Sequence, residues 1–227
     1  MIKCKEEKFM ENKLLIHKLK NNAELAWAAY GYYDLMTNSD SRLFIEIQNK
    51  KNENSTKKEI TLTDIMDNTF ADYKVYKPQL SPNIKPDKVG TLNGDFTPTQ
   101  LQHFFEHYDL LEHCPNTDSG FSATLFKDTK ADSKDSEYIL SIRGTEFKLE
   151  QIQDLLNDYY IGTNNSDMNR VIEQYFDMLL FYEETLKPLL QEKGIARINV
   201  VGHSLGGYLA QLFALSYPHS INEVYTY

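Results

Sequence analysis

The apolar positions along this chain change their period more than once. Over residues 9–36, "FMENKLLIHKLKNNAELAWAAYGYYDLM", Leu25, Ala26, Ala29 and Tyr33 recur at helical spacing, which predicts a helix with Asn22 as its N-cap. Residues 48–60, "QNKKNENSTKKEI", are charged and turn-rich and predict a solvated loop. Residues 76–99 carry four prolines and two glycines and should be extended and irregular. Thr97 then caps a further helix with Pro98 at its first position, and Leu101, Phe104, Phe105, Tyr108 and Leu111 form its apolar stripe.

Beyond residue 115 strands enter. "GFSATLFKD" (120–128) places Phe121, Ala123 and Leu125 on one face, and "EYILSIRGT" (137–145) is a more continuous apolar run. The polar linker between them suits a hairpin-like loop. Residues 169–193 predict a long helix on Val171, Ile172, Tyr175, Phe176, Leu179 and Leu186, kinked at Pro188 and ended at Gly194. "ARINVV" is a short buried strand. "SLGGYLAQLFALSY" is a helix with Leu209, Leu212 and Phe213 inward, and "INEVYTY" begins one more strand. Strand, helix, strand, helix, strand implies right-handed crossovers and a mostly parallel sheet, hence an α/β fold. Two regions result: 1–115, helical with a charged and proline-rich insertion, and 116–227, the α/β part.

Composition narrows the functions. The net charge of −9 argues against nucleic acid, whose phosphates need a basic surface, and against simple docking on anionic lipid. Two cysteines, Cys4 and Cys114, make neither a disulfide framework nor a paired metal spacing. The N-terminus has no unbroken apolar core and no small-residue cleavage site, so no signal peptide is read. No run approaches the length of a membrane span. The expected location is the cytoplasm, or outside the cell by a route independent of a signal peptide.

Two motifs bear on chemistry. His103-Phe-Phe-Glu106-His107 fits the H-x-x-E-H pattern of inverted zinc peptidases, and histidines four apart share a helix face. The plainer reading, histidines flanking a core stripe, is preferred, and no metal or other cofactor is assigned. The second motif is Gly202-His203-Ser204-Leu205-Gly206, set between an apolar strand and an amphipathic helix. A bare G-x-S-x-G arises by chance in under about a tenth of chains this long, and its placement cuts that further. A turn this tight holds the serine in a strained backbone, and side chains at 202 and 206 would collide with the neighbouring strand and helix. The serine hydroxyl then stands above the sheet at a helix N-terminus, where the free Leu205 N–H faces any anion that forms. That is the geometry for attack on a carbonyl carbon. A dinucleotide fingerprint needs glycine where Ser204 stands, and a phosphate loop needs a lysine that is missing. His203 adjoins the serine in sequence, so the two side chains point apart and His203 is not assigned as its base.

The segment resembles the nucleophile elbow of the class 3 (fungal-type) lipases of the α/β-hydrolase superfamily. "GFSATLFKD…EYILSIRGTE" resembles the strands that lead to that family's oxyanion loop, "DLLNDYYIG" the segment after it, and "AELAWAAYGYY", faintly, its opening helix. The similarity covers residues 118–227 and is nearest to bacterial members. One departure is Gln151-Ile152-Gln153, where the family carries a tryptophan before the aspartate. The resemblance implies Ser204 as nucleophile, the N–H of Leu205 and of Thr145 as oxyanion donors, and Gly202, His203 and Gly206 as elbow residues. It implies structural roles for Asp154 and Asp158 and a mobile lid over 146–157. It also implies an α/β-hydrolase acting on carboxylic esters of lipids, with contact to a lipid interface during turnover.

Two rivals stand beside this: a thioesterase or small-ester esterase of the same fold, and a non-catalytic interaction module or fragment. In this fold acid and histidine follow the serine in that order. After Ser204 come only His219 and then Glu223, in reverse. The sequence therefore reads as the N-terminal part of a longer protein, its core incomplete at the C-terminus and inactive as it stands.

Overall fold

The structure is a computed structural model that describes residues 2–36, 42–48, 55–78, 85–144 and 166–227. It divides into two compact units, residues 1–30 with 109–227, and residues 31–108. This division differs from a boundary at 115, because the first helix belongs with the C-terminal half.

The smaller unit is largely β, where its sequence suggested helix and loop. Strands β1 (Phe44–Gln48), β2 (Ser55–Glu59), β3 (Lys74–Tyr76) and β4 (Lys88–Thr91) form a sheet in the order β2-β1-β3-β4, every neighbour antiparallel. The stretch read as a solvated loop thus includes β2 and the end of β1, and the proline-rich stretch contributes β4. Helix α2 (Leu62–Met66) opens with a capping box between Thr61 and Asp64, and the buried Asp64 carboxylate also pairs with Lys58. Helix α3 (Pro98–Phe105) has the expected start: the Thr97 hydroxyl accepts from the Gln100 N–H, and Pro98 stands in the first turn. It is shorter than its apolar stripe implied. Tyr108 and Leu111 lie instead on strand β5 (Tyr108–Cys114).

The larger unit carries the second sheet, in the order β5-β6-β7-β8-β9. Strands β6 (Ala123–Asp128) and β7 (Tyr138–Ile142) are antiparallel, with the short helix α4 (Lys134–Glu137) in the connection between them. Strands β8 (Ile198–Gly202) and β9 (Ile221–Thr226) continue parallel to β7. The α/β reading holds, with a mixed sheet whose parallel part carries the serine. Between β7 and β8 the described residues 166–192 form one helical run: α5 (Ser166–Phe181), a π turn at Tyr182–Leu186, and α6 (Lys187–Glu192). The π turn ends two residues before Pro188, which has no N–H to offer an α-helical ladder. Gly194 ends the run with φ +68°. Helix α7 (Leu205–Ser216) then links β8 to β9.

Strand alternation decides which side each helix covers. Leu125, Leu140, Ile142, Ile198 and Val200 share one core with Met178, Phe181, Tyr182, Leu186, Leu209 and Phe213 of the crossover helices. The face of α5 that buries is Gln174, Met178 and Phe181; Ile172 and Phe176, expected inward, are 46% and 60% exposed. The opposite face of the sheet receives helix α1 (Ile2–Ala28), where the Ser141 hydroxyl donates to the Leu25 carbonyl at 2.6 Å. Asn22 does not cap this helix. It is buried in its interior, and its amide donates to the Lys18 carbonyl at 2.8 Å. Among the described residues no helix is long and apolar enough to cross a membrane.

Candidate active site

Ser204 joins β8 to α7 with no intervening loop, at φ +56° and ψ −125°. L-residues avoid this region, and holding one there costs on the order of 1–3 kcal/mol. The flanking glycines show what makes the turn possible. A Cβ on Gly202 would meet the backbone of Gly206 and stand 2.7 Å from the Gly207 nitrogen. A Cβ on Gly206 would meet the Ile142 carbonyl and stand 2.9 Å from the backbone of Arg143 and Gly144. The first helical turn therefore rests directly on the ends of β7 and β8, and only glycine permits that approach.

Hydrogen bonds fix the turn from both sides. The Ser204 N–H donates to the Tyr227 carbonyl at 2.8 Å, and the Tyr227 N–H to the Gly202 carbonyl at 3.1 Å, extending the β8–β9 ladder through the elbow. The Gly206 N–H donates to the His203 carbonyl, and the N–H groups of Gly207 and Tyr208 to the Ser204 carbonyl. Among the described residues no acceptor takes the Leu205 N–H. It stands at the positive end of α7, one residue past the serine hydroxyl.

A third element closes the site. Gly144, at the end of β7, lies against the elbow: a Cβ there would stand 2.5 Å from the His203 carbonyl oxygen, 2.5 Å from the Tyr30 hydroxyl and 3.5 Å from the Ser204 Cβ. Tyr30, just past the end of α1, meets His203 Nδ1 at 3.1 Å, and Trp27 presents its ring edge to the His203 ring at a centroid distance of 6.3 Å. His203 Nδ1 is thus engaged by the Tyr30 hydroxyl. Tyr30 and Trp27 were not recognised as site residues. Their only signal was the aromatic content of "AWAAYGYY", which helical periodicity also explains.

Other expected residues fall elsewhere. Thr145, the expected second oxyanion donor, lies outside the described residues, as do Asp154, Asp158 and the whole of 146–157. His219 is exposed in the turn after α7, and twelve helical residues of about 1.5 Å rise separate it from the elbow. Glu223 is held by Lys18 at 2.6 Å and by the Tyr225 hydroxyl at 2.8 Å. His103 and His107 do not share one helix, since α3 ends at Phe105 and His107 stacks on Tyr108. Among the described residues no cluster of three or more histidines, cysteines or carboxylates is placed to hold a metal.

Residues 139–223, from β7 into β9, match the family described as Lipase (class 3). Two proteins of Saccharomyces cerevisiae share shorter segments. Protein ECM18 is 38% identical over 66 residues, which is 29% of this chain and 14% of that protein. The protein named 1-acylglycerol-3-phosphate O-acyltransferase ICT1 is 34% identical over 58 residues, 26% of this chain and 14% of that protein. Among solved structures, the Lip2 lipase of Yarrowia lipolytica aligns over 56% of this chain and 48% of its own, at 24% identity and a TM-score of 0.40. The lipase of Rhizopus microsporus var. chinensis aligns over 56% and 47%, at 18% identity and a TM-score of 0.41. The chain thus spans a seventh of the curated relatives and about half of these lipases. All are fungal, and a bacterial branch draws no support from them.

Proposed function

We propose that this chain carries the nucleophile of a serine hydrolase acting on carboxylic esters of lipids. The observation that carries the reading is Ser204 at φ +56°, perched between β8 and α7 on two glycines that admit no side chain. Strain of this kind persists where the surroundings over-determine it, and here it lifts one hydroxyl to a helix N-terminus. The class 3 lipase match over 139–223 supports lipid esters as the substrate class.

In the proposed reaction Ser204 Oγ attacks the ester carbonyl carbon and loses its proton to a general base. The tetrahedral oxyanion receives the Leu205 N–H and that of Thr145, the residue next to Gly144. The alcohol leaves with a proton, and water then releases the acid from the acyl-enzyme. In this proposal the base is a group other than His203, His219 and Glu223, since His203 Nδ1 is engaged by Tyr30, His219 is exposed beyond α7 and Glu223 is paired with Lys18.

A second reading follows from the yeast acyltransferase: the same acyl-enzyme could pass its acyl group to a hydroxyl of an acylglycerol phosphate instead of water. The test of both begins with a fluorophosphonate probe on the purified chain. Adduct mass on the peptide containing Ser204, absent in Ser204→Ala with unchanged circular dichroism, is the expected result; equal labelling of the variant refutes both. Product analysis of a dispersed triacylglycerol, with and without 1-acylglycerol-3-phosphate, separates them.

A further inference from the structure

Helix α1 lies on its sheet along one side, and the side that faces away is not polar. Between residues 22 and 29 the buried positions are Asn22, Leu25, Ala26, Ala28 and Ala29, and the Ser141 hydroxyl meets the Leu25 carbonyl there. At about 3.6 residues per turn, Ile16, Ala23 and Trp27 fall on the opposite side, with Leu19 on its flank. Together the four make one line about 16 Å long. Ile16 is 66%, Leu19 41% and Trp27 44% exposed, and Ala23 is partly exposed. Met10, Leu14 and Leu15 fall toward the sheet side of the helix and have no part in this line.

Lysines border it. Lys13 and Lys20 stand on one side and Lys8 on the other, all exposed, and the nearest acid, Glu24, is paired with Lys20 at 3.6 Å. This face is thus locally basic in a chain whose net charge is −9. The charge of the whole molecule opposes anionic lipid; the charge along this face attracts it. Exposed aliphatic side chains and a tryptophan, bordered by lysines, are the composition of helices that lie in a lipid–water boundary. The line also ends at the candidate active site. Trp27 presents its ring edge to His203, the neighbour of Ser204, and the Tyr30 hydroxyl meets the same ring.

We propose that this outer face of α1 docks on lipid surfaces that carry anionic headgroups. Ile16, Leu19 and Trp27 enter the headgroup boundary, Lys8, Lys13 and Lys20 meet the phosphates, and the elbow comes to stand beside the lipid. The proposal rests on the reading of Ser204 as a hydrolase acting on lipid esters, and it names the surface that brings such a substrate to the serine.

Trp27 is the one tryptophan of the chain, so its emission reports this face directly. Titrating residues 1–227 with vesicles of phosphatidylcholine and phosphatidylglycerol in equal parts should shift that emission to the blue. Lipids brominated on their acyl chains should quench it, and vesicles of phosphatidylcholine alone should bind weakly. Ile16→Gln/Leu19→Gln changes exposed positions without changing charge, so its circular dichroism and melting should match the parent while binding falls at least about tenfold. Lys13→Gln/Lys20→Gln should lose at least about tenfold on the mixed vesicles and little on phosphatidylcholine. Ser204→Ala should bind like the parent, which keeps the two readings apart. Vesicle binding by a chain whose Ser204 takes up no fluorophosphonate removes the hydrolase and leaves the docking face; labelling without vesicle binding removes the docking face alone. Four results overturn the proposal: no shift with either vesicle, equal binding to both, indifference to either double variant, or a blue shift that grows with protein concentration without lipid, the mark of a second copy on this face.

Discussion

The Tyr30 hydroxyl lies 3.1 Å from His203 Nδ1, and the same oxygen stands where a side chain at Gly144 would begin. One phenol from the N-terminal helix thus touches both the elbow and the end of the strand that leads into the proposed oxyanion loop. Tyr30→Phe removes the hydroxyl and leaves the ring. The expected outcome is a loss of about 1 kcal/mol in stability, a fall of about 2–4 °C in Tm, and slower fluorophosphonate labelling of Ser204. An unchanged labelling rate would show that the contact has no part in placing the serine.

Gly206→Ala tests the packing of the elbow. The new methyl would fall on the Ile142 carbonyl, part of a rigid strand, so the helix must move away from β7. Overpacking of this kind costs about 1–3 kcal/mol. The same displacement moves the Leu205 N–H, so labelling of Ser204 should fall further than the stability change explains. Gly194→Ala is the control: a Cβ there meets nothing within 4 Å, so only the strain of φ +68° should register in the melt, and labelling should stay at the parent rate.

The elbow was legible in the sequence because its requirements are local. A strand, a serine and two glycines at fixed offsets leave few other conformations. The smaller sheet was not legible, and β2 shows why: "STKKE" has no apolar residue, and its strand conformation is set by pairing with β1. Strand β5 was masked by coincidence, since Tyr108 and Leu111 continue the helical spacing of Phe104 although the chain turns at Glu106 and His107. On α5 the apolar arc is wider than the buried one, so the periodicity reading took Ile172 and Phe176 and passed over Met178 and Phe181, which are buried. The Tyr30–His203 contact joins residues 173 apart, beyond any local pattern.

The Lys18–Glu223 pair ties α1 to β9 and should leave a pH signature. Burial alone would raise the Glu223 carboxyl, but bonds from Lys18 and the Tyr225 hydroxyl outweigh it and hold the carboxyl below its ordinary value. A carboxyl depressed in the folded state stabilises above its unfolded pKa, and that contribution is lost as pH falls through the lower, folded one. Both side chains are more than a third exposed, so the effect is small, at most about 1 kcal/mol. Comparing melts of the parent and Glu223→Gln, the parent should lead at pH 6–7, and the gap should close as pH drops below about 4.5. A gap that is the same at pH 3 and pH 7 would show that the ion pair contributes nothing.

Ser204→Gly separates the strain of the elbow from its chemistry. At φ +56° and ψ −125° a serine is held where glycine rests without penalty, and the side chain makes no capping bond to offset the cost. Removing the side chain relieves on the order of 1–3 kcal/mol of strain, against which the greater freedom of an unfolded glycine works by about 0.5–1 kcal/mol. The net expectation is a more stable protein, by about 1 kcal/mol, that takes up no fluorophosphonate. Ser204→Ala keeps a Cβ in the same backbone conformation and should melt close to the parent. A natural chain that keeps the less stable residue at a position where glycine fits better is using the hydroxyl. Chemical denaturation of the three proteins side by side checks this, and a Ser204→Gly midpoint below that of Ser204→Ala would show that the backbone at the elbow is not strained.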